Sequence, residues 1–172
     1  RALAKIGGPK ATQGLFTLFN DNMLEVQSEA IKAMATLGTA VVPQLVAALK
    51  DSRWRVREQA AKTLGEIKDP QAVQGLIIAC RDRDGAVKSA AAESLGKIGD
   101  PKAVPALIKL FKDTSKIVRE TDGTALMYIG QPSIEPLLAT LKDPHFVVRC
   151  HGVRALGGMT TDYQMGKAWV RD

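Results

Sequence analysis

Residues 51–70 read DSRWRVREQAAKTLGEIKDP, and residues 82–101, DRDGAVKSAAAESLGKIGDP, repeat the same pattern 31 positions later. The pattern runs the length of the chain. Leu3, Met34, Leu64, Leu95, Leu126 and Leu156 are spaced by 31, 30, 31, 31 and 30 residues, and Ile6, Leu37, Ile67, Ile98, Ile129 and Met159 by identical gaps. Val26, Val56, Val87, Val118 and Val148 form a third series, and Leu15, Leu45, Leu76, Leu107 and Leu137 a fourth. Four series that agree to one residue define an internal repeat, the signature of a stacked array.

Within one unit, Val87, Ala91, Leu95 and Ile98 fall on one face of a helix, and Val104, Leu107, Ile108 and Phe111 on one face of the helix that opens the next unit. Asp69-Pro70 and Asp100-Pro101 mark starts of first helices, with an N-cap acceptor followed by a residue suited to the first helical position. Pro43, Pro105 and Pro136 lie further in, so the first helix is expected to start late or kink. Gly38, Gly99 and Gly130 close the second helices, where a left-handed cap is wanted. A single helical hairpin cannot bury its apolar stripe, but stacked copies bury it continuously. The reading is an all-α, right-handed superhelix forming one repeat domain over 1–172. Its units run roughly 8–38, 39–68, 69–99, 100–130 and 131–160, with partial units at 1–7 and 161–172. Both ends fall inside the repeat, so the chain reads as a piece of a longer array whose uncapped ends are expected to self-associate.

Composition narrows the function classes. Hydrophobic residues at 45% and charged residues at 24% suit a folded soluble chain. No apolar run approaches the ~18 residues of a membrane span. Two cysteines, Cys80 and Cys150, without CxxC spacing, point to a reducing cytoplasm and to no metal site. The net charge of +6 permits an acidic partner.

Asp21, Asp51, Asp82, Asp113 and Asp143 each precede by six residues the position that follows the repeat Val, occupied by Gln27, Arg57, Lys88, Arg119 and Arg149. An acid closing the first helix and a base opening the second, followed by the pattern VR..AA..LG.IGD, resembles the short HEAT-like repeats of the phycobilisome-lyase type. The resemblance implies a ladder in which each Asp bonds bases of its own and the next unit. Four of the 24 Lys and Arg residues are then structural, and the basic excess loses weight as evidence for nucleic acid.

The same resemblance puts the second helices on the concave face. Its exposed positions vary between units while the scaffold repeats, as a binding array would. Leu24, Trp54, Glu58, Lys62, Lys116, Glu120, Phe146, His151 and Arg154 are the candidate contacts with another protein, Trp54 and Phe146 foremost because aromatic residues anchor interfaces. Cys150 and His151 do not make a nucleophile pair, since neighbouring helical residues point about 100° apart, and His145 and His151 lack the spacing of a metal pair. Cys80 falls on the core stripe. Asp122 breaks the small-residue series Ala30, Ala60, Ala91, Gly152 and, beside Gly123, reads either as a bend or polar pocket with His151 or Arg154 as partners, or as drift in a tolerant repeat.

An enzyme, in two versions, and a nucleic-acid binder compete with a non-catalytic scaffold. HEAT-like deoxyhypusine hydroxylases hold iron with His-Glu pairs, and no His-Glu occurs here. A phycobilin-lyase-like activity has no identifiable catalytic residue, and no cofactor is expected. Nucleic acid, as in HEAT-like glycosylases, would use the basic rim of Lys50, Arg53, Arg55, Arg81, Arg83, Lys112 and Lys142. Glu29, Glu58, Glu93 and Glu120 interrupt the concave face, which disfavours phosphate binding.

Overall fold

A computed structural model describes residues 9–164, with side chains for 11–159. The partial unit 1–7 and the side chains of 161–172 lie outside the described residues, and the expected self-association of the ends lies there with them. Ten α-helices form the described chain, and no strand occurs among the described residues. The first helices of the units are α1 (Pro9–Leu18), α3 (Val42–Ala48), α5 (Val73–Ala79), α7 (Val104–Leu110) and α9 (Ile134–Thr140). The second helices are α2 (Leu24–Ala35), α4 (Trp54–Ile67), α6 (Gly85–Ile98), α8 (Lys116–Ile129) and α10 (Phe146–Gln164). The array is an α-α solenoid.

The late start of the first helices has a local cause. Asp69 accepts from the Gln71 N–H at 2.8 Å and Asp100 from the Lys102 N–H at 2.8 Å. Each cap opens a 3-10 turn, Pro70–Ala72 or Pro101–Ala103, and the α-helix begins only at the next residue. Proline suits that turn because its fixed φ and missing N–H cost nothing there.

The second helices end differently from one another. Gly99 takes φ 78° and ψ 14°, and its N–H reaches the Leu95 carbonyl. Gly130 keeps φ 78° but swings to ψ −136°, a region open in practice to glycine alone. At the matching place after α4, Lys68 adopts φ 57° and ψ 32°, a left-handed cap carried by a residue with a Cβ. Lys68→Gly is therefore expected to raise stability by about 0.5–1 kcal/mol, read from thermal or urea melts.

Two layers enclose the core. Phe19, Met34, Leu45, Leu64, Leu76, Leu95, Leu107, Phe111, Leu126 and Leu137 have essentially no exposed surface. Neighbouring second helices approach closely at small residues. A Cβ placed on Gly65 would lie 2.5 Å from Ser94 Oγ, and one on Gly96 only 2.8 Å from Ala125 Cα. Ser94 Oγ also donates across this seam to the Ala61 carbonyl at 2.8 Å. The first helices stand further apart, leaving an open cavity of about 460 Å³ whose lining includes Val46 and Leu49 of the second unit and Gln74 and Ile78 of the third.

Candidate binding surface on the second helices

The residue after the repeat Val is fixed first by its own turn in four of the five units, Lys88 being the exception. Arg57 Nη1 donates to the carbonyls of Asp51 and Ser52 at 2.8 and 3.1 Å. Arg119 Nη1 does the same to Asp113 and Thr114 at 2.5 and 3.0 Å, and Arg149 Nη1 to Asp143 and Pro144 at 2.7 and 2.9 Å. Gln27 Nε2 reaches the Asp21 carbonyl at 2.6 Å. Links between units then run forward. Arg57 forks onto Asp82, Nε to Oδ2 at 2.7 Å and Nη2 to Oδ1 at 2.8 Å, and Lys88 pairs with Asp113. Asp82 and Asp113 thus receive the base of the preceding unit, whereas the resemblance implied that of the next.

At two boundaries the residue after the repeat Val makes no forward link to the next Asp. Gln27 has no charge to offer Asp51 and instead accepts from Gln59 Nε2 at 2.7 Å, while Asp51 pairs with Arg53 at 2.9 Å. Arg119 donates Nε to His151 Nε2 at 3.3 Å, and Asp143 is held by Lys112 at 3.3 Å. The two complete rungs carry a pH signature. Burial pushes the Asp82 and Asp113 carboxyls up, but Arg57 and Lys88, with backbone N–H donors, outweigh it and hold both below their usual range. Carboxylates depressed in the folded state stabilise it above their unfolded pKa of about 4 and lose that contribution as pH falls through the folded value. Melting temperature is expected to drop on this acid limb, and Asp82→Asn to flatten it.

The predicted contacts separate into accessible and buried groups. Leu24 is 74% exposed, Phe146 67% and Trp54 39%, with the Arg55 guanidinium 5.0 Å from the Trp54 ring centroid. Ile117, 70% exposed, belongs with them. It lies one place after their register, where the other units carry Glu25, Arg55, Ala86 and Val147, so the repeat pattern did not single it out. The charged candidates mostly pair with one another: Glu58 with Lys62 at 2.7 Å, and Glu120 with Lys116 at 3.6 Å and Arg154 at 3.8 Å.

His151 does not belong to the exposed set. Its ring stacks on Phe111 at 5.5 Å between centroids and takes the Arg119 hydrogen bond, so it forms part of the wall behind the surface. Burial pushes the imidazole pKa down, and Arg154 and Arg119 push it further against Glu120. The neighbouring Cys150 is exposed, so the two side chains part as the helical angle requires. Cys80 is buried, its thiol pushed up to about 12 by burial and by Asp122. No group of three metal-ligating side chains occurs among the described residues.

At Asp122 the structure shows neither the bend nor the two partners of the first reading, and leaves drift standing. The helix α8 runs unbroken through it, and neither His151 nor Arg154 bonds it. Both carboxyl oxygens are buried without a hydrogen bond. Burial, reinforced by Asp113, drives this carboxyl well above the usual range.

These paired helices, capped turns and inter-unit rungs define a HEAT-type α-solenoid. The chain belongs to the HEAT repeat family, whose model matches residues 15–85 and 42–126. Among solved structures, a chain from the complex of CpcE and CpcF of phycocyanin lyase from Nostoc sp. PCC7120 is 26% identical, with TM-score 0.69, 87% of this chain and 99% of that one covered. An engineered protein matches at 23% identity and TM-score 0.51, covering 94% and 88% of the two chains. A chain from a structure of Kap95p with RanGDP matches at 19% identity and TM-score 0.59, over 86% of this chain and 24% of that one. No curated protein matches the sequence.

Proposed function

We propose that this chain is a non-catalytic scaffold that holds a segment of another protein on the face of its second helices, in the cytoplasm. The observation that carries the reading is the exposed apolar row Leu24, Trp54, Ile117 and Phe146, set at the starts of α2, α4, α8 and α10. Large apolar groups recurring along one edge suit an interface better than isolated surface residues do. Close packing of the second helices at Gly65 and Gly96, against the gap between α3 and α5, supports their lying on the inner arc. Repeat-fold neighbours bind protein partners, as with CpcE and CpcF and with Kap95p and RanGDP. Both cysteines are free thiols, which suits a reducing compartment.

The test is capture from nuclease-treated extract, comparing the parent chain with a Leu24→Ser, Trp54→Ser, Phe146→Ser variant that melts alike. A protein retained by the parent and lost by the variant supports the reading, and equal retention by both overturns it. The likeness to the lyase chain favours a second reading, a phycobilin-lyase-like enzyme subunit. Saturable absorbance change of a bilin on titration would favour that alternative. Binding of nucleic acid through the basic rim is less well supported, because Arg53 is bonded to Asp51, Arg55 lies on Trp54 and Lys112 holds Asp143.

A further inference from the structure

We propose that the slot between the fourth and fifth repeats receives a carboxylate side chain from the partner segment, held by Arg119, with an apolar neighbour resting against Phe146. This inference rests on the scaffold reading and names the partner's chemistry. The molecule supplies its own template. At two earlier boundaries the same slot is filled from within, by Asp82 on Arg57 and by Asp113 on Lys88. At the next boundary Arg119 stands where Arg57 and Lys88 stand, and Asp143 where the acids stand, but no bond joins them. Arg119 gives Nη1 to two carbonyls and Nε to His151, and Nη2 has no partner among the described residues. Beside Arg119 lies a cavity of about 290 Å³ lined by Phe111, Lys112, Asp113, His145 and Phe146 as well, with Asp113 already taken by Lys88.

Charge decides what fits. Asp113 is paired with Lys88 and Asp143 with Lys112, so Arg119 feels Asp113 only through space and bonds no carboxylate. A part-buried guanidinium has lost hydration that an arriving carboxylate restores, and a carboxylate is the group its geometry matches best. A more highly charged anion would meet the two flanking aspartates. The exposed ring of Phe146 then favours an acidic residue beside an apolar one over an isolated acid.

The test uses two capped dipeptides, N-acetyl-glutamyl-leucinamide and its glutaminyl counterpart, titrated into the ¹⁵N-labelled chain. The glutamyl probe is expected to shift the Arg119 Nε–H and the amides of 146–148 saturably, and the glutaminyl probe to bind about tenfold more weakly. Phe146→Ser should weaken the glutamyl probe several-fold without moving the melting temperature. Equal responses to both probes, no saturable shift at Arg119, or tighter binding of inorganic phosphate would each overturn the proposal. The two readings fail separately. A silent glutamyl probe with a partner still lost from the triple variant sinks the slot alone, and a bound probe with no variant-sensitive partner sinks the scaffold alone.

Discussion

Gly96→Val is expected to destabilise the fold by about 3 kcal/mol, lowering the melting temperature by roughly 10 °C for a chain of this size. The cause is backbone. A Cβ at position 96 meets Ala125 Cα at 2.8 Å and the Ala125 carbonyl oxygen at 3.2 Å, and neither moves without shifting α8 as a whole. A rotamer change offers no relief. Gly123→Ala provides the control on the same pair of helices, because a Cβ there has nothing within 4 Å. That change is expected to stabilise by about 0.5–1 kcal/mol through helix propensity alone. If both substitutions proved neutral in urea melts, close approach of the second helices would not be what holds the repeats together.

Asp122→Ala is expected to act in the opposite direction, stabilising the chain by about 2 kcal/mol at neutral pH, the scale of releasing a buried polar group from an unbonded site. Alanine fills the equivalent buried position at Ala30, Ala60 and Ala91, so the replacement suits the packing. The gain should depend on pH with a definite sign. The folded carboxyl pKa lies above its unfolded value, so the parent's stability from this group is greatest below the unfolded pKa of about 4 and declines as pH rises through the folded value. The advantage of the variant therefore widens with pH across that window. Paired melts of parent and variant along the pH scale check it, and a loss of stability at neutral pH would show that Asp122 has a favourable partner in solution.

Most of the architecture was legible because a repeat writes the same physical demand many times. Leu64, Leu95 and Leu126 lie in one buried series, and Asp69 and Asp100 announced their caps. The binding surface was less legible. The pattern placed Leu24, Trp54 and Phe146 on an exposed row, yet it put His151 beside them when the ring is stacked on Phe111. It also overlooked Ile117. Helical periodicity gives the direction of a side chain within about one helix face, whereas burial depends on the neighbouring unit, which periodicity does not describe.

Sequence alone determined the all-α repeat, its unit length, its core series and the acid-base pairs available at three of the boundaries, since these follow from local propensity and apolar spacing. Tertiary structure decided which pairs form. Arg57 reaches Asp82, Lys88 reaches Asp113, and Arg119 turns to His151 and leaves a slot, although all three bases occupy one register. It also decided that Asp122 is buried without a partner. The reason is geometric: a hydrogen bond or a clash depends on tenths of an ångström between adjacent hairpins, and those distances come from packing against the next unit, beyond the reach of spacing along the chain.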